Sequence, residues 1–140
     1  MEFMSKVHGN IIYEDKDIVT FKKGIPGFDS LTKFILVDLK DCEPFKLLQS
    51  LENEELALIL SSPFNVLRDY EVKLPDETIK ELSISTPEEV LILNTITLHS
   101  NVEKITTNLK APLIINIKTG LGEQIIVDNS RYKIKHPIVS

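Results

Sequence analysis

Tryptophan is absent from this chain, cysteine occurs once, glycine five times, and no apolar run approaches the length of a membrane span. Each shortage removes a class of protein. A single cysteine, Cys42, permits no internal disulfide and fits a reducing compartment. It stands in Asp41-Cys42-Glu43-Pro44, where neighbouring carboxylates disfavour the reactive thiolate. So few glycines make a phosphate cradle hard to build, and neither a G-x-x-x-x-G-K-[ST] loop nor G-x-G-x-x-G occurs. Gly120-Leu121-Gly122 is a fragment of such a pattern and reads as a hairpin tip. His8, His99 and His136 are isolated from any second histidine or cysteine at ligand spacing, so no metal site is expected. There is no G-x-S-x-G elbow, and the paired acids Glu54-Glu55 and Glu88-Glu89 are sequence neighbours that no strand or helix turns to one task. The expectation is a protein without catalytic activity, cofactor or metal. The N-terminus shows no basic stretch followed by an apolar core, so a cytoplasmic location and no membrane contact are expected.

What is present is an uneven charge. Residues 38–89 hold thirteen acids and five bases, whereas residues 90–140 hold three acids and six bases; the whole chain is at −5. An acidic middle disfavours phosphate backbones and suits a basic partner surface. Arg131-Tyr132-Lys133-Ile134-Lys135-His136 alternates basic and apolar residues, but the acidic total and the missing tryptophan speak against direct nucleic-acid binding. It reads instead as a terminal strand protected from edge pairing by charge.

The 140 residues suit one domain, 1–140, with a core large enough to need no staples. Met1-Glu2-Phe3 ahead of Met4 reads as an added scar, with Met4 the natural start. Seven scattered prolines punctuate short runs rich in Ile, Val, Leu and Thr: 18–21, 34–37, 45–48, 56–60, 90–98, 113–117 and 125–127. Their shortness and β-branching predict strands. His8-Gly9-Asn10 and residues 118–122 read as hairpin loops. Helix is scarce: Asp76 is placed to cap a short helix through Leu82, with Ile79 and Leu82 inward, and Thr86-Pro87-Glu88-Glu89 reads as a capped single turn. The expected fold is all-β and mainly antiparallel, a small barrel-like roll with one or two short helical turns.

Three segments have individual character. Ile25-Pro26-Gly27-Phe28 combines a fixed φ at proline with a glycine that accepts positive φ, predicting a type II turn that sets Ile25 beside Phe28. Residues 62–70 gather Phe64, Val66, Leu67 and Tyr70 in a loop, either as a partner site or as a lid on an open barrel end. Asn116 closes an apolar strand and must find hydrogen bonds there, as a pin or ladder residue.

In order, these motifs resemble the flagellar assembly factor FliW family. The likeness runs through Phe21, Gly24-Ile25-Pro26-Gly27-Phe28, Pro44-Phe45, Leu48-Gln49-Ser50, Ser62-Pro63 and Tyr70. It continues through Asn108-Leu109-Lys110-Ala111-Pro112 into Leu113-Ile114-Ile115-Asn116, then Gly122-x-Gln124-Ile125-Ile126, Tyr132 and His136-Pro137. The resemblance implies a non-catalytic β-barrel that binds flagellin in the cytoplasm and also binds the RNA-binding translational repressor CsrA. Flagellin export would then free the factor to take up CsrA and relieve repression of flagellin synthesis. On that basis the acids Glu52, Glu54, Glu55, Asp76 and Glu77 are expected to face CsrA. Ile25, Phe28, Phe64, Leu67 and Tyr70 are expected to contribute to flagellin binding. The readings kept beside it are a small barrel binding a nucleotide or other small ligand, and a hydrolase in which His99 reaches a serine or Cys42.

Overall fold

The structure, a computed structural model, describes residues 1–6, 8–28, 30–39 and 44–138. Cys42 and its acidic neighbours lie outside the described residues. The chain begins with an antiparallel ribbon of β1 (Glu2–Ser5) and β2 (Gly9–Ile12). There follow β3 (Ile18–Thr20), β4 (Lys33–Asp38), β5 (Lys46–Ser50) and β6 (Ala57–Ser61). Helix α1 (Asp76–Glu81) precedes β7 (Val90–Thr97), β8 (Thr106–Thr107), β9 (Leu113–Asn116), β10 (Leu121–Gln124) and β11 (His136–Pro137). Strands β3, β4, β5, β6, β7, β9 and β10 pair in that order, antiparallel at each step. β10 then returns parallel to β3, with Leu121 opposite Thr20, and the seven strands close into a barrel. The expected all-β barrel with little helix is the observed architecture. No helix among the described residues is long and apolar enough to cross a membrane.

Side-chain alternation builds three layers from these strands. Val19, Phe21, Ile25, Phe34, Leu48, Leu60, Leu93, Leu113 and Ile115 fill the barrel interior. Phe21 and Phe34 meet edge to face at 5.5 Å. Gly122 sits beside them, where a Cβ would stand 2.8 Å from the Phe21 ring, so only glycine lets β10 approach so closely. On the outer side of β4–β6, Ile35, Leu47 and Ile59 meet Phe3 and Ile11 of the ribbon. On the outer side of β7, β9 and β10, Val90, Ile92 and Ile114 meet Val72, Leu74, Leu82 and Ile84. Strands covered on both faces read as unbroken apolar runs, which is why 34–37 and 113–115 show little alternation.

Several expectations shift. Residues 125–127 are not a strand: the last barrel strand is Leu121–Gln124, and the turn before it spans 117–120. Ile125 and Val127 still donate their N–H groups to Pro112 and Lys110 carbonyls, at 3.1 and 2.7 Å. Pro112 has no N–H to return, so a regular ladder cannot form there. Residues 131–135 are not a strand either, and only His136–Pro137 pairs, with β8. Glu2–Ser5, with no predicted element, forms half of the ribbon. In α1 the cap position falls to Pro75, not Asp76, and Ile79 is 36% exposed while Thr78 and Leu82 are buried. Residues 87–89 form one 3-10 turn, and Glu89 reaches past Thr86 to accept the Ser85 N–H at 3.1 Å.

Candidate protein-binding surfaces

The turn at residues 25–28 forms as its residues dictate: the Phe28 N–H donates to the Ile25 carbonyl at 2.7 Å, with Gly27 at φ +91°. It does not set two apolar side chains side by side at the surface. Ile25 is buried at 4% and packs in the barrel interior, and Phe28 stays outside at 39%.

The 62–70 loop divides in the same way. Ser62 caps a 3-10 turn over Pro63–Asn65 by accepting the Phe64 N–H at 3.3 Å. Pro63 is buried beneath the turn and Phe64 is lifted to 47% exposure. Leu67 is half-buried, and its N–H donates to the Pro63 carbonyl at 2.9 Å. Tyr70 is interior at 3%, donating its hydroxyl hydrogen to the Leu109 carbonyl at 2.6 Å. Burial pushes the Tyr70 phenol above its ordinary pKa. Its ring stands 4.5 Å from Tyr132 and 6.1 Å from Phe64, so Phe64 is an exposed edge on a buried aromatic stack. Arg131 lies over Tyr132 and pairs with Asp69 at 2.7 Å, holding that carboxyl below its usual range. The loop thus buries Pro63 and Tyr70 and leaves Phe64 facing out. The rings of Phe28 and Phe64 are not in contact among the described residues.

The acids occupy two places. Glu52, Glu54 and Glu55 sit on the β5–β6 turn. Glu52 accepts the Lys33 and Thr32 N–H groups, at 2.8 and 2.7 Å, and these bonds lower its pKa. Glu54 and Glu55 flank Lys6 of the ribbon turn, at 3.1 and 3.5 Å. Asp76 and Glu77 form the first turn of α1; Glu77 approaches Lys23 at 3.9 Å. All five carboxylates are exposed, and Glu52 alone is committed to backbone donors.

The polar residues of the ordered motifs serve the frame. Gln49, fully buried, accepts the Ser5 hydroxyl at 2.6 Å and donates to the Ser50, Asn53 and Leu56 carbonyls. Ser50 accepts the Glu52 and Asn53 N–H groups. Asn116, also fully buried, donates to the Leu82 carbonyl at 2.8 Å and accepts the Lys118 N–H at 2.9 Å. Asn108 caps the Lys110 and Ala111 N–H groups, and Gln124 donates to the Ala111 carbonyl. Leu109 and Pro112 lend carbonyls to Tyr70 and Ile125. Gly24 carries φ +70° just before the 25–28 turn, and its N–H donates to the Phe21 carbonyl at 2.8 Å.

The family profile described as FliW protein matches residues 2–138. The chain belongs to the FliW family. Among FliW relatives, the flagellar assembly factor of Clostridium botulinum (strain Alaska E43 / Type E3) is 59% identical, with 99% of each chain covered. That of Clostridium tetani (strain Massachusetts / E88) is 53% identical, over 99% of this chain and 95% of its own. A crystal structure of a flagellar assembly factor FliW superposes with a TM-score of 0.89 at 37% identity, covering 100% of this chain and 98% of that one. These FliW relatives bear the name of assembly factors, not of enzymes. His99, the histidine considered for hydrolysis, is exposed and accepts the Asn101 N–H at 2.9 Å. Among the described residues no cluster of three or more His, Cys, Asp or Glu side chains is arranged to hold a metal.

One surface escaped the sequence reading. Between α1 and the start of β7 lies a groove of about 420 Å³, lined chiefly by Val72, Leu74, Ile79, Ile84, Val90 and Ile92. No motif marks it, because its residues, all within 72–92, are spread over irregular chain, α1 and the start of β7 without one period. The exposed position of Ile79 on α1 could not be told from an inward one on so short a helix.

Proposed function

We propose that this chain is a non-enzymatic, cytoplasmic flagellar assembly factor that binds flagellin and, when flagellin is exported, takes up the translational repressor CsrA. Membership of the FliW family over nearly the full chain carries this reading. The output is set by mass action, because each partner stabilises the bound form it favours. The acids Glu54, Glu55, Asp76 and Glu77 supply a field suited to a basic RNA-binding partner, with Glu52 contributing charge beside its structural role. Phe64, Leu67 and Phe28 supply apolar surface for an amphipathic flagellin segment, and Ile25 and Tyr70 support them from beneath. A small-ligand barrel is the weaker reading, since side chains fill the interior.

A calorimetric titration of CsrA from the same organism, with and without flagellin, tests the exchange. Tight CsrA binding that flagellin abolishes supports it; binding to neither protein overturns it. Glu54→Lys with Glu55→Lys is expected to weaken CsrA binding and flatten its salt dependence. Phe64→Ala is expected to weaken flagellin binding with the melting temperature unchanged.

A further inference from the structure

We infer that the groove between α1 and β7 is a docking surface for a basic-flanked, aliphatic-faced segment of a protein partner, distinct from the Phe64 loop. Its floor is the outer face of β7, where Val90 and Ile92 point away from the barrel interior. One wall is Val72 and Leu74. The other is built by the end of α1, where the Ser83 N–H donates to the Lys80 carbonyl and the Ile84 N–H to the Ile79 carbonyl, at 3.1 and 3.0 Å. That pair of bonds is a Schellman ending, which brings Ile79 and Ile84 together. Ser83 takes φ +53°, a conformation that usually goes to glycine. The groove lies within the roughly 300–1,000 Å³ of ordinary binding clefts, so it has room for several aliphatic side chains.

Charge selects the occupant. The segment that walls the groove, residues 71–89, holds six acids and two bases. Asp76 opens α1 one turn before the lining residue Ile79, and Glu88 follows the lining residue Pro87; both are exposed, and neither carboxylate has an ion pair or side-chain hydrogen bond among the described residues. An aliphatic face would seat on Ile79, Ile84 and Ile92, and lysine or arginine beyond it would meet the free carboxylates. An acidic or phosphate-bearing segment would be repelled.

The surface is testable without identifying the natural segment. The probe is a 15-residue helical peptide with leucine at helical spacing and lysine at both ends, compared with its glutamate-ended counterpart. Isoleucine methyl groups of the full chain report binding by nuclear magnetic resonance. The lysine peptide is expected to shift Ile79, Ile84 and Ile92, the glutamate peptide to leave them unmoved. Affinity is expected to fall about tenfold in Ile79→Ser and again in Asp76→Lys with Glu88→Lys. Ile79 is already partly exposed, so the variant folds, and an unchanged melting temperature checks this. Equal binding of both peptides, no shift with either, or full affinity in Ile79→Ser would overturn the inference. Titrating flagellin and CsrA against the same methyls keeps the two readings apart. If neither protein binds, the partner-exchange reading fails while the peptide result still decides the groove.

Discussion

The barrel carries two outer layers, and they differ in how completely they cover it. The β1–β2 ribbon lies over β4–β6 as regular antiparallel backbone, burying Ile35 and Leu47 beneath Phe3 and Ile11. The 70–89 segment lies over β7, β9 and β10 as irregular chain and one short helix, burying Ile114 but leaving a groove above Val90 and Ile92. Each layer is fastened by one buried amide. Gln49 ties the ribbon through Ser5, and Asn116 ties α1 through the Leu82 carbonyl. Two β-ribbon strands satisfy their own donors and can lie flat on an apolar face, whereas an irregular strap needs turns and a helix end, which stand off from it. The lesson is that a barrel apolar on both sides requires covers, and the imperfect cover is where a partner can enter.

The largest expected effects come from emptying each layer. Ile35→Ala and Ile114→Ala remove fully buried side chains from beneath the ribbon and the strap, and each is expected to cost about 2–5 kcal/mol. If the irregular strap is the softer layer, Ile114→Ala falls at the lower end, because loosely packed chain collapses into the space. Urea unfolding measures both. Equal losses would mean that the strap is packed as tightly as the ribbon.

The buried amides come next. Asn116→Leu removes the buried amide that binds the Leu82 carbonyl and the Lys118 N–H, and Gln49→Leu removes the one that binds the Ser5 hydroxyl and the β5–β6 turn. Each is expected to cost about 1–3 kcal/mol. The contrast lies in hydrogen exchange: Asn116→Leu should loosen residues 76–84, and Gln49→Leu residues 2–12 and 50–56. Loosening across the whole barrel in either variant would show that the layers are not separate units.

These layers also mark how far the sequence was legible. Barrel strands were readable because burial on both faces leaves runs such as Phe34-Ile35-Leu36-Val37. The turn at 25–28 was readable because proline and glycine admit few conformations. Glu2–Ser5 was not, since a four-residue strand with a single buried side chain has no clear period. Ile125–Val127 misled, because β-branched composition favours a strand, while Pro112 opposite decides the ladder. Ile25 and Phe28 looked equivalent in sequence, and only the direction of the turn places one inside and one outside. The acids were visible, but nothing local announced that Glu52 caps two backbone donors.

Ser83→Gly sharpens the comparison from the other direction. The Schellman ending forces Ser83 to positive φ, and glycine adopts that conformation without the Cβ penalty. The strap is expected to gain about 1 kcal/mol, with the groove geometry unchanged. A rise in urea midpoint at constant slope confirms it. A loss would mean that the serine side chain contributes more than its backbone costs.

The smallest effect is a pH dependence on the ribbon side. Glu52 accepts the Lys33 and Thr32 N–H groups, so its carboxyl is held below its ordinary value near 4.5 in the folded chain. A depressed folded pKa means that the unfolded chain binds the proton first on acidification. The stabilisation is therefore complete above the unfolded value and disappears as pH falls through the folded one. Glu52→Gln should be less stable than the parent at pH 7, and the gap should close below about pH 4.5. Lys6 acts at the opposite limb. Its hydrogen bond to Glu54 raises its pKa above 10.5, so its contribution is complete below that value and is lost as pH climbs through the folded one. Lys6→Ala should then differ from the parent at pH 7 and converge on it in strong alkali. Both groups are fully exposed, so salt should shrink both gaps. A Glu52→Gln deficit that persists unchanged into acid would mean that the loss comes from packing of the turn and not from the carboxylate's charge.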